Sequence, residues 1–140
     1  MPEKPLHSSI TIILLMPLMV FFIAIALTYF LGVDIINEYK IDKILHIIGG
    51  VIISFSIAGI LRYLSGRAMI TLQDEKMFLT IVFGLVCFAV IIWEIFEYFI
   101  DFEPEYLTYS DTITDMIFGL IGGLFGILFI RRSVFIKHKR

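Results

Sequence analysis

The chain has 140 residues, 59% of them hydrophobic, with 11 Lys and Arg against 13 Asp and Glu. A mean hydropathy of +0.97 exceeds what a water-soluble domain of this size carries and points to lipid as the solvent. The formal charge of −2 gives no basic field for nucleic acid, and the lone Cys87, inside an apolar run, can form no internal disulfide.

A helix needs about 20 apolar residues to cross the hydrocarbon core. Four stretches bounded by charge qualify: residues 10–31, 44–64, 78–100 and 112–130. The expected fold class is therefore all-α, an integral membrane four-helix bundle, with residues 1–140 forming a single transmembrane domain. The first span follows Ser8 and Ser9, which suit an N-cap, and contains Pro17, which should kink it. Its apolar run is too long for a signal peptide and no small-residue cleavage site follows, so it is read as retained.

With four spans, both termini and the middle loop share one side. That side holds Lys4, Arg62, Arg67, Lys76, Arg131, Arg132, Lys137, Lys139 and Arg140, leaving only Lys40 and Lys43 for the other. The positive-inside rule then predicts a multi-pass protein of the cell (inner) membrane with cytoplasmic N- and C-termini. The basic tail from Arg131 to Arg140 is expected to rest on anionic lipid, at about 1 kcal/mol per basic residue near the surface. Most acids lie at the other end.

There the spacing carries information. Asp42 and His46 open the second span at i, i+4, and Asp111 and Asp115 open the fourth in the same way. The third span closes on Glu94, Glu97 and Asp101, at i, i+3 and i+7, so three helices each present a polar face at one depth. Glu94 lies about 10 Å below Asp101 at 1.5 Å per residue, against a half-thickness of about 15 Å. An unpaired carboxylate that deep costs roughly 2.5–3.5 kcal/mol. Two glutamates one turn apart repel, so one takes a proton or a cation sits between them.

Three readings follow. The first is a divalent cation site with Asp42, His46, Glu94, Glu97, Asp111 and Asp115 as ligands and Lys43 and Tyr98 beside them. Oxygen donors dominate, favouring Mg²⁺, Mn²⁺ or Ca²⁺ over Zn²⁺ or Fe²⁺. A di-iron bundle site would require Glu-x-x-His on two helices, and only one membrane histidine is present. The second reading is a structural salt-bridge network with Lys40 and Lys43, and the third a proton relay or a pocket for a cationic head group. Whether a reaction occurs is open; a metal-polarised reaction on a lipid or envelope precursor is the natural class if it does.

Small residues extend below the acids. Gly50 on the second span and Gly119, Gly122, Gly123 and Gly126 on the fourth, the latter giving two overlapping GxxxG patterns, suit close helix packing. The same faces could instead join copies into a homo-oligomer or a non-catalytic scaffold. Ser54 and Ser56, with no base nearby, are expected to bond back onto their own helix. Trp93, Tyr98, Tyr106 and Tyr109 read as an interfacial aromatic belt, and His7 and His138 as solvated. No phosphate-binding glycine loop or hydrolase motif is present.

The runs Asp42-Lys43-x-x-His46, Trp93-Glu94-x-x-Glu97-Tyr98 and Asp111-Thr112-x-x-Asp115-Met116 occur in order across residues 40–126. In these the chain resembles the YjdF-like inner-membrane proteins of bacteria and, more distantly, the VanZ-like proteins. It departs from the YjdF-like pattern at Ile47, Tyr98 and Ile113, where that family carries phenylalanine, tryptophan and glutamine. The resemblance implies a membrane protein with these polar residues and no particular reaction; the VanZ-like likeness implies an envelope role.

Overall fold

The structure, a computed structural model, describes residues 6–72, 74–100 and 109–138. These form five helices: α1 (Leu6–Leu31), α2 (Val33–Glu38), α3 (Ile41–Gly66), α4 (Glu75–Ile100) and α5 (Tyr109–His138). Four of them are long and apolar enough to cross a membrane, with mean hydropathy from 2.1 to 2.6. Strands are absent among the described residues. The fold is all-α.

Helices α3, α4 and α5 begin three residues earlier than their apolar runs suggest. The cause is local: Asp42, Glu75 and Asp111 occupy the three first turns, where a carboxylate complements the helix dipole. Asp74 adds an N-cap to α4, accepting from the Met77 N–H at 2.6 Å. Helix α1 begins at Leu6, so Ser8 and Ser9 lie within it rather than capping it, and it runs on through Pro17. Helix α2 has no counterpart in the predicted spans. It is one and a half turns, set off by Gly32 at φ +81 and by Lys40 at φ 54, and its Ile36 is buried.

The interior is mostly small and β-branched side chains, with Leu61, Phe78 and Ile130 as larger members, while many large ones lie outside. Val82, Val86 and Ser54 are fully buried, while Phe22, Phe88 and Phe99 are mostly exposed. That inversion is what lipid permits: without water to drive large apolar groups inward, close packing of small residues holds helices together. Helices α3 and α5 share the largest contact. A Cβ on Gly50 would overlap the Gly119 carbonyl oxygen, and one on Gly122 would overlap the Ile47 carbonyl oxygen. Gly126 meets Ser54, while Gly119 and Gly123 face Val90 and Val86 of α4.

Hydroxyls add cross-links. Ser54 Oγ lies 2.9 Å from the Gly50 carbonyl, the expected back-bond, and 3.0 Å from the Gly123 carbonyl of α5, so its single proton is shared between the two. Ser56 does not bond back; its hydroxyl donates to the Ile13 carbonyl of α1 at 2.9 Å. Gly59 lies against the same Ile13, so α1 is pinned to α3 at one level. At the basic end, Arg62 lies over the Phe78 ring and Arg131 pairs with Glu75 at 3.4 Å.

Candidate functional site

The ends of α3, α4 and α5 opposite the basic residues bring Asp42, Lys43, His46, Glu94, Glu97, Asp111 and Asp115 together. They do not form one cluster. They form two, which share Asp115 as a border.

In the first, Lys43 is the centre. Its Nζ lies 2.6 Å from Asp111 Oδ1, 2.6 Å from Asp115 Oδ1 and 2.9 Å from Asp42 Oδ2. An ammonium has three protons, and here each has a carboxylate. The lysine side chain is 10% exposed, so these charge-assisted bonds form with little water between them. Asp42, Asp111 and Asp115 lie close enough together to hold a metal ion, yet the chain supplies its own cation. Lys43 therefore stands among the three aspartates rather than beside them. Helix geometry explains the placement: at about 100° per residue, Lys43 is turned well away from Asp42, toward α5, and its long stem spans the gap.

In the second, the imidazole of His46 lies among acids that it does not tightly bond. Nδ1 is 3.5 Å from Glu94 Oε1; Nε2 is 3.9 Å from Glu97 Oε2 and 3.8 Å from Asp115 Oδ1. These separations exceed the roughly 2.7–3.2 Å of a good hydrogen bond. His46, Glu94 and Glu97 each offer a ligand atom, all within 4.8 Å of one another. Glu94 is 6% exposed and its Oε1 is buried with no hydrogen-bond partner. A carboxylate oxygen left so is expensive, because burial strips its water and nothing replaces it. Glu97 is less enclosed, its side chain 39% exposed, with the indole of Trp93 one turn earlier on the same helix.

Lys40 and Tyr98 stand apart. Lys40 is exposed at the start of α3. Tyr98 is 70% exposed and meets Phe99 edge-on, so its hydroxyl is turned outward rather than toward the acids expected beside it. Asp101 and Tyr106 lie outside the described residues, as do the side chains of His7, His138 and the tail beyond Arg132. The sequence reading offered Lys43 as a member of a salt-bridge network or a neighbour of the ligands, not as the centre of three aspartates, and it missed the bridging role of Ser56. Both had a signal: a lysine within the first turn of a span must find acids or leave the membrane, and Pro17 has no N–H for the Ile13 carbonyl four residues earlier, which leaves that oxygen in need of a donor.

An all-helical, four-span membrane protein with a charged centre buried at one end is the class that this fold and site define. The chain matches a family described as a predicted membrane protein (DUF2238) over residues 3–134 and belongs to it. That span takes in α1 as well as the motif-bearing stretch, and fits the YjdF-like resemblance at the level of a membrane family. The VanZ-like likeness rests on the motifs alone. No curated protein and no solved structure matches the chain.

Proposed function

We propose that this protein binds a divalent cation between α3 and α4, with His46, Glu94 and Glu97 as ligands. Support comes from one observation above the rest: the buried Glu94 Oε1 lacks any donor, beside an imidazole and a second glutamate. His46, Glu94 and Glu97 each offer one ligand atom within 4.8 Å of the others, and two carboxylates beside one imidazole nitrogen favour Mn²⁺ over Mg²⁺ or Ca²⁺, whose ligands are oxygen. Asp42, Asp111 and Asp115 are assigned to Lys43 as a structural anchor of the same end.

The orientation belongs to the same proposal. The basic end, with Arg62, Arg67 and Arg131, faces the cytoplasm, which puts the cation site toward the outer leaflet of the cell membrane. There the ion would serve an envelope or lipid-related role. The basic tail would lie on anionic lipid of the inner leaflet.

The test replaces Glu94 with Gln, which keeps shape and removes charge. Purified wild-type protein should carry the ion by elemental analysis and bind Mn²⁺ by calorimetry, more weakly as pH falls and protons compete for the ligands. E94Q should lose both. Equal metal in the two proteins, or none in either, ends the cation reading and leaves a structural network.

A second reading has its own observation. His46 turns Nδ1 to Glu94 and Nε2 to Glu97 and Asp115, the layout of a proton relay. It predicts proton flux in vesicles that His46→Gln abolishes in the presence of chelator.

A further inference from the structure

A cavity of about 180 Å³ lies between α1, α3 and α4, with Asp42, His46 and Glu97 at its polar side and Phe21, Trp93 and Gly49 among its apolar walls. We infer that it takes the head of a membrane-dissolved amphiphile carrying an ammonium group, with the chain leaving along α1 into the bilayer.

Charge selects the head. With both glutamates protonated, Asp42, Asp111 and Asp115 against the single ammonium of Lys43 leave a formal surplus of two negative charges at this end, and with both ionised around a divalent ion the surplus is again two. In either state a phosphate head is repelled and a cationic head attracted. Asp42, on the cavity wall, gives Oδ2 to Lys43 and has no donor for Oδ1, so its carboxylate keeps acceptor capacity that an ammonium can take up. Trp93 and Phe21, edge to face at 5.6 Å, offer aromatic surface of the kind that holds organic cations.

Space selects the chain. Gly49 and Gly50 are neighbours with opposite roles. A Cβ on Gly50 would strike the backbone of α5, whereas one on Gly49 would meet nothing within 4 Å. Packing therefore explains Gly50 and leaves Gly49 unexplained, except that a side chain there would fill the cavity. Pro17, Val20 and Ala24 of α1 add an apolar wall along which the chain would leave. The cavity shares His46 and Glu97 with the metal proposal, and Asp42, not assigned to the ion, is the residue that tells the two apart.

Trp93 is the sole tryptophan, so its fluorescence reports this cavity alone. Full-length protein in uncharged detergent with chelator is titrated with a long-chain brominated alkylamine, and in parallel with the alcohol and the monophosphate of the same chain. The amine should quench Trp93 saturably, at a concentration about tenfold or more below that of the alcohol, as a charged hydrogen bond requires. Gly49→Leu should remove the saturable quenching, while Gly84→Leu, on an open face of α4, should keep it. Asp42→Asn should make the amine no better than the alcohol; if that variant fails to fold, G49L decides. Amine and alcohol alike in the wild type, a tighter phosphate, or G49L that still quenches saturably overturns the inference. Because chelator is present throughout, none of these outcomes bears on the cation site.

Discussion

Lys43 and Glu94 are both ionisable, both buried and both within helices apolar enough to cross a membrane, yet their situations are opposite. Lys43 has three carboxylates within 2.9 Å, whereas Glu94 Oε1 has no hydrogen-bond partner, its nearest neighbour being His46 Nδ1 at 3.5 Å. Removing one member of a buried ion pair strands the rest, which costs about 3–5 kcal/mol. Lys43→Met is therefore expected to lower the unfolding midpoint in mixed micelles steeply. It should also leave Asp42, Asp111 and Asp115 as an empty three-carboxylate nest; compared in a Glu94→Gln background, which removes the His46 site, millimolar Ca²⁺ or Mn²⁺ should restore part of the loss and leave the Lys43 protein unmoved. If K43M melts like the parent, the ammonium holds nothing together. Glu94→Gln should go the other way in apo protein, keeping or raising the midpoint, because it swaps a stranded charge for a neutral amide.

Among the elements, α3 is the one all others lean on. It meets α5 through Gly50 and Ser54 and α1 through Ser56 and Gly59, and its first turn carries Asp42 and Lys43. Two adjacent glycines allow a matched comparison. Gly50→Ala should destabilise by about 1–3 kcal/mol, the cost of overpacking, because backbone on α5 cannot yield. Gly49→Ala should be neutral or gain up to about 1 kcal/mol, the helix preference of alanine over glycine. Chemical denaturation of both variants in one detergent checks the pair; equal losses would mean that the α3–α5 contact is looser than described.

The spans and their polar ends were legible in the sequence because each rests on a one-dimensional signal: a run of apolar residues, a charge at its edge, acids spaced one turn apart. What escaped needed a second helix. Pro17 leaves the Ile13 carbonyl without its helical donor, but nothing along the chain says that Ser56 meets it, or that Lys43 faces Asp111 and Asp115 while His46, three residues on, faces Glu94. Lys43 and His46 differ by about 60° around the helix axis. That small rotation, invisible without the neighbours' positions, divides the single expected cluster into an ion-paired anchor and an open candidate site.

For the whole molecule, the charge asymmetry makes a topological prediction. In a Cys87→Ser background, Arg67→Cys and Tyr39→Cys place one exposed thiol at each end of the bundle. A membrane-impermeant maleimide added to intact cells should label the Tyr39→Cys protein, and reach the Arg67→Cys protein only after lysis. The reverse pattern would turn the cation site toward the cytoplasm.

The lysine knot also bears on how the protein is made. Lys43 is joined to Asp111 and Asp115 across 68 and 72 residues of chain, so α3 enters the bilayer long before its counter-ions have been synthesised. Until α5 arrives, the nascent protein carries a cation matched by Asp42 alone, on a helix that otherwise belongs in lipid. A ribosome stalled before residue 109 would thus leave an intermediate marked for what it lacks, and completion of the last helix would erase the mark.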